Sequence, residues 1–405
     1  YIILVLGGIK AMRTRLIGLG AAGNKAAIEA VERGIIPCNN VMLLNSTLKD
    51  IPADYITRNG AVCYQFTGAY GGCGKERSRS YELCSTTLEN DDIKLGQFLG
   101  VDTDEEAELV VLVSSTEGGT GSGASPLVAD YINQVYGLPV HIFGLAGFED
   151  DVRGMRNTVD FFKDMKDTFA VECISNQRFL DDAKGNRLKA EALANTEFAT
   201  KLSVLMGIAI RDAVHNIDPT DLLKLSTQTG YMMIESYIFK DKIKTQAQFQ
   251  QAVTEMIAHS KALDPAGSEK KLGVIINIRE EATDYIDYSE IENKFGVPYE
   301  RYEHIQHEEE MPEFISFIAG GLDMPIESVE ETYNKYKESL EKVNKASDNF
   351  FSKIQDKSID SSDHMFDLDA QKKSTVSKDS FFKNKKAGVN KTVQAKSQSN
   401  NSEEY

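Results

Sequence analysis

Leu109-Val110-Val111-Leu112-Val113 runs into Glu117-Gly118-Gly119-Thr120-Gly121-Ser122-Gly123 and then into Pro126-Leu127-Val128-Ala129-Asp130-Tyr131. An unbroken apolar run of this length predicts a strand buried on both faces. The glycines after it are bare enough for peptide N–H groups to close on an anion, and a helix opening at the same point adds the positive end of its dipole. Strand, phosphate cradle and helix follow in that order, and the ligand such a cradle fits is a nucleotide.

A second glycine turn, Gly18-Leu19-Gly20-Ala21-Ala22-Gly23, lies between the strand-like Arg13 to Ile17 and a helix from Asn24 to Arg33. Taken alone it matches the dinucleotide fingerprint G-x-G-x-x-G. An NAD-dependent oxidoreductase would need an acid at the end of the second strand to hold a ribose hydroxyl. That strand, Val41 to Leu44, ends instead in Asn45-Ser46-Thr47, with Asp50 farther along the loop. A dehydrogenase also leaves the second phosphate loop unexplained, and no G-x-x-x-x-G-K-[ST] occurs in the chain.

The remaining pattern alternates strands and helices, which predicts an α/β fold with a parallel sheet covered on both faces. Further strands are expected at Val62 to Phe66, Val140 to Leu145 and Val171 to Ile174, completing a nucleotide-binding domain over 13–188. A long central helix is expected over 189–214, with Leu193, Leu202, Leu205, Met206, Ile208 and Ala209 on its apolar face. A polar loop, a helix from about Thr220 and a smaller α+β domain to residue 324 follow, with strands near Leu272 to Ile278 and Phe314 to Ala319. Pro325 suits the first turn of a C-terminal helix over 325–357, beyond which periodicity disappears.

Charge divides the chain unevenly. From Gln371 to Tyr405 eight lysines face Asp379, Glu403 and Glu404, so this stretch carries +5 and the rest −22 of the total −17. The expectation is an acidic globular body with a disordered basic tail over 358–405. Five cysteines without a C-x-x-C pair fit reduced thiols in a cytoplasm, and no zinc or other protein-held metal site is expected. No apolar run reaches the length of about 18 residues that marks a transmembrane helix. Residues 1–12 read as a leader of doubtful origin before a natural start at Met12.

Two phosphate loops, a long central helix and a following loop with paired carboxylates together resemble the tubulin/FtsZ superfamily of filament-forming GTPases, from about Arg13 to Ser236 and more loosely to Ile354. The signature loop of that family reads G-G-G-T-G-[ST]-G, and here Glu117 replaces its first glycine. The resemblance implies GTP or GDP, with Mg²⁺, held by Gly20, Ala21, Ala22, Gly23 and Asn24, by Gly68 and Ala69 of a third loop near the γ-phosphate, and by Gly118, Gly119, Thr120, Gly121 and Ser122. It implies a sugar contact at Glu149 and Arg153, and guanine recognition by Asn176 and by Asn195 at the start of the long helix. Neutral amides can serve a guanine edge as donor and acceptor without desolvating a charge.

His215-Asn216-Ile217-Asp218-Pro219-Thr220-Asp221 fits the N-x-D-x-x-D pattern of the family's catalytic loop, which assigns Asn216, Asp218 and Asp221 to hydrolysis. Two acids three residues apart at a helix N-terminus are also what an N-cap and a first-turn acid look like. The resemblance implies that head-to-tail stacking brings these residues onto the γ-phosphate of the next subunit, making the chain its own filament partner. The long helix after Pro325 and the Lys-rich tail resemble TubZ-like plasmid or phage tubulins, which implies DNA segregation with a DNA-bound adaptor or DNA as tail partner. An FtsZ-like division GTPase and a scaffold that binds GTP without hydrolysing it are the alternatives.

Overall fold

The computed structural model describes residues 12–355 except 58, 59, 61, 212, 214, 215, 266, 268 and 269. The expected tail, nearly all of the expected leader and His215 of the acidic loop lie outside the described residues. The chain order begins β1 (Thr14–Leu19), α1 (Gly20–Glu32), β2 (Val41–Asn45), α2 (Ala53–Thr57), β3 (Val62–Gln65), α3 (Arg77–Leu99), β4 (Leu109–Ser115) and α4 (Gly119–Tyr131). It continues through β5 (Val140–Ala146), α5 (Val152–Met165), β6 (Ala170–Ser175), α6 (Arg187–Leu205), α7 (Pro219–Ser226) and β7 (Gly230–Ile238). The last elements are α8 (Gln246–Ala258), β8 (Lys271–Asn277), α9 (Ser289–Phe295), β9 (Glu300–Gln306), β10 (Phe314–Leu322) and α10 (Ile326–Gln355).

All ten strands join one sheet in the order β3-β2-β1-β4-β5-β6-β7-β10-β8-β9. Pairing is parallel from β3 through to β7, β10 is antiparallel to both neighbours, and β9 is parallel to β8. Strand order reverses between β1 and β4. Their register pairs Leu19 with Ser114, so both strands end at one level. From that crevice α1 turns onto one face of the sheet and α4 onto the other. Leu127 and Val128 of α4 share a core with α3, α5, α8 and α9, while Ala26, Ala27 and Ala30 of α1 share the opposite core with α6 and α7. Topological switch points of this kind are where open α/β sheets hold ligands. The expected α/β architecture of parallel-sheet unit, central helix, smaller mixed unit and C-terminal helix is the one observed.

Three details depart from expectation. The helix expected over 189–214 spans Arg187–Leu205. Gly207, at φ +67°, turns the chain out of it, and Ile210 stays in the core from a non-helical segment. Strand β7 was not anticipated, since Met232, Met233 and Glu235 weaken its β signature, nor was β9, whose Glu300-Arg301-Tyr302-Glu303 is too charged to read as a strand. The fully buried Lys201 of α6 was missed as well. Its Nζ reaches Glu172 of β6 at 2.8 Å and Glu235 of β7 at 2.9 Å, tying the central helix to both halves of the sheet. Burial, opposed by the Lys201 charge, pushes the Glu172 carboxyl up to about 8. All five cysteines are unpaired, and among the described residues no helix is long and apolar enough to cross a membrane.

Candidate functional site

A cleft of about 200 Å³ opens where β1 and β4 end, lined by Gly20, Ala21 and Ala22 from the first glycine turn and by Gly118, Gly119, Thr120 and Gly121 from the second. Gly20 makes the strand-to-helix turn possible with φ +73°. Two helices start here, and neither has a side-chain cap or an acid in its first turn. Their leading N–H groups therefore lack intrahelical partners and face the cleft with the positive ends of both dipoles. Ser115 Oγ accepts from the amides of Glu117 at 3.2 Å and Gly118 at 3.1 Å, leaving those from Gly119 onward as donors for an anion.

Close packing explains the other glycines. A Cβ on Gly23 would lie 2.1 Å from the Val113 carbonyl oxygen, and one on Gly123 would lie 2.4 Å from the Arg77 carbonyl oxygen. These residues set the approach of α1 to β4 and of α4 to α3. Neither Ala21, Ala22 nor Glu117 has a positive φ, so the non-glycine residues in the two loops carry no backbone strain.

Several expected ligand residues do not line this cleft. Ser122 is fully buried, with its hydroxyl bonded to the Gly118 carbonyl, and Asn24 is buried with its amide donating to the Leu44 carbonyl at 3.3 Å. Both shape the cradle from behind. In the third loop Gly72 lines the cleft, whereas Gly68 and Ala69 do not. Glu149 meets the hydroxyl of Tyr336 on α10, whose pKa is raised by burial and by the Glu149 charge, and Arg153 lies 3.7 Å from Glu76. Asn176 opens a short 3-10 turn directly after β6. Asn195 sits in the third turn of α6 rather than at its start, because the helix begins at Arg187. Both amides are half-buried and have no hydrogen-bond partner among the described residues.

Asn45, Ser46, Asp50 and Ser115 also line the cleft and were not among the expected binding residues. Ser46 Oγ and Thr120 Oγ1 lie 3.1 Å apart, joining the end of β2 to the glycine loop, and Asn45 Nδ2 donates to Asp50 Oδ2 at 3.2 Å. Their signal in the sequence was position: they follow the second strand, where an α/β sheet meets the sugar end of a nucleotide.

The acidic loop stands apart from this cleft. Asp218 is the N-cap of α7, its Oδ1 accepting the Asp221 amide at 2.8 Å, with Pro219 in the first turn. Asp221 Oδ1 lies 3.1 Å from Lys224 Nζ, and Asn216 Oδ1 accepts the Ala213 amide at 3.0 Å. Asn216 and Asp218 are exposed. The Tyr302 hydroxyl donates to Glu300 at 2.6 Å, and that bond, with burial and the charges of Glu300, Asp221 and Asp218, pushes its pKa up to about 12.

Helix α6 separates the two sites. It starts beside the cleft edge of the sheet, where Arg187 covers Phe148, and its 19 residues span about 28 Å. At its far end, His141 Nδ1, at the beginning of β5, donates to the Ser226 carbonyl of α7 at 2.7 Å, and Gly230 pairs with Ala170 at the beginning of β6. The cleft lies at the C-terminal ends of the parallel strands and the acidic loop at their N-terminal ends.

No family model matches the chain. It is 26% identical over 216 residues to the tubulin-like protein TubZ of Clostridium botulinum C phage, covering 52% of this chain and 56% of that protein. It is 26% identical over 147 residues to the tubulin-like protein CetZ2 of Haloferax volcanii, covering 35% of this chain and 38% of that one. The chain thus spans about half the length, or less, of these curated relatives. Among solved structures, a GTPγS-form protofilament of Bacillus thuringiensis serovar israelensis TubZ superposes with a TM-score of 0.67 at 16% identity, covering 85% of this chain and 96% of that one.

Proposed function

We propose, for a chain that has the tubulin/FtsZ fold and the tubulin-like TubZ and CetZ proteins as its neighbours, that it binds GTP in the cleft between β1 and β4 and hydrolyses it to GDP only in a head-to-tail filament. One observation carries this reading: a cleft built for phosphate and an acid pair, Asp218 exposed and Asp221 half-buried, occupy opposite ends of the same sheet. Neither end can complete a hydrolytic site alone. Stacking the acidic end of one copy on the cleft of the next supplies what each lacks, and such a contact does not close on itself, so it propagates as a filament.

Phosphoryl transfer asks for positioning and neutralisation of charge. The first-turn amides of α1 and α4 hold the phosphates, and Thr120 and Ser46 fix the loop that presents them. Asn216, Asp218 and Asp221 of the next copy orient the attacking water, and a carboxylate takes its proton. An Mg²⁺ bound with the nucleotide would neutralise the charge that develops on the phosphates, with few ligands from the protein. Asn176 and Asn195, whose side-chain amides have no hydrogen-bond partner among the described residues, are the guanine-reading residues in this scheme. DNA segregation, through a tail that docks DNA or a DNA-bound adaptor, is the biological role proposed.

Phosphate release in GTP and Mg²⁺ across a protein concentration series tests the shared site. The rate per subunit is expected to fall on dilution, because each competent site needs two copies. A constant rate per subunit down to high dilution would refute it.

A further inference from the structure

Glu117 occupies a glycine's place in the phosphate loop, yet its side chain does not line the cleft. It enters the connection between β5 and α5. A Cβ on Gly147 would sit 1.6 Å from Glu117 Oε2, and one on Gly154 would sit 2.8 Å from the same oxygen. The carboxylate therefore lies directly on the bare backbone of two glycines. Burial raises the Glu117 pKa, and the Lys75 charge and the Phe148 backbone amide oppose that rise. Lys75 in turn pairs with Asp151, whose Oδ1 caps α5 by accepting the Gly154 amide at 3.0 Å. Asn157 closes the arrangement, its Nδ2 donating to the Glu117 carbonyl at 2.8 Å and to the Lys75 carbonyl at 3.1 Å.

We propose that Glu117 is a positioning residue for nucleotide binding, bracing the segment 147–154 against the phosphate loop so that cradle and segment hold one geometry. The inference rests on the nucleotide reading above. A carboxylate aimed into the cradle would repel phosphate. Aimed away and compensated by Lys75, it turns a glycine's place into a strut. Glycines at 147 and 154 are the complement of that strut, since any side chain at 147 would displace it.

Two measurements on the full chain test the strut: hydrogen exchange of the amides in 147–154 without nucleotide, and the dissociation constant for GDP. Glu117→Ala is expected to speed exchange in this segment and to weaken GDP binding by about tenfold, within the range for coupling between two sites. Glu117→Gln keeps an oxygen acceptor of nearly the same shape, so it should restore slow exchange and hold affinity within about threefold. Gly147→Ala should weaken GDP binding by itself and add little to Glu117→Ala, because both break the same contact. Wild-type exchange in Glu117→Ala, or faster exchange with unaltered GDP affinity, would overturn the proposal. A wild-type chain that binds no guanine nucleotide would overturn the nucleotide reading and this role with it, an outcome visible before any variant is made.

Discussion

Asp218 caps α7, and one substitution can separate that cap from the hydrolytic role proposed for it. As N-cap it accepts the Asp221 amide, and asparagine caps a helix about as well as aspartate. Asp218→Asn is therefore expected to keep thermal stability and GTP binding while slowing phosphate release by about a hundredfold or more, the range for removing a general base. Asp218→Ala should lose about 1 kcal/mol of stability as well, read from a denaturant midpoint. If Asp218→Asn loses GTP binding instead, the acid belongs to the pocket and the two-ended site fails. At this scale the sequence announced the glycines and acids, whose spacing is itself a signal. Asn45 and Ser46 signalled only by position, because an amide and a hydroxyl acquire meaning when the fold supplies their partners: Asp50 for Asn45, and for Ser46 Thr120, 74 residues along the chain.

At the scale of elements, the parallel strands were legible because strands buried on both faces read as continuous apolar runs. Val110 to Val113 are all fully buried. Strand β9 was illegible for the converse reason: it lies at the sheet edge, and Glu300 and Arg301 remain exposed along it. The end of α6 escaped because Ile208 and Ile210 prolong an apolar pattern after Gly207 has broken the helix. The Lys201 cluster makes a testable statement about pH. Glu172 titrates in the folded chain at about 8, above its unfolded value, so its contribution to stability is complete at low pH and is lost as pH rises through that value. Buried His141, pulled down to about 4 from 6.5, destabilises only as pH falls below 6.5. Between pH 6.5 and 8, thermal stability is thus expected to decline in the wild type, and Glu172→Gln should flatten the decline. An equal slope in Glu172→Gln would place the titration elsewhere.

For the whole molecule, a shared site divided by α6, as proposed, would make polymer growth and chemistry one event, while the Lys-rich stretch after residue 371 stands outside that logic. Exposed charges attract over about 8 Å at physiological salt, so binding through its eight lysines should weaken steeply as salt rises. Truncation after Ser358 is expected to leave polymerisation and GTP turnover near wild type and to abolish cosedimentation of filaments with DNA or its adaptor. A truncated chain that no longer polymerises would place the tail in the filament contact. The two margins of the sheet bear on how copies could meet. β3 is only four residues long, and β9 is studded with Glu300, Arg301 and Glu303, the last two 3.9 Å apart as an ion pair. Short and charged margins refuse an incoming strand. Copies stacked as proposed would therefore meet without fusing their backbones into one ladder, and what assembled through side chains and a nucleotide would come apart when that nucleotide was spent.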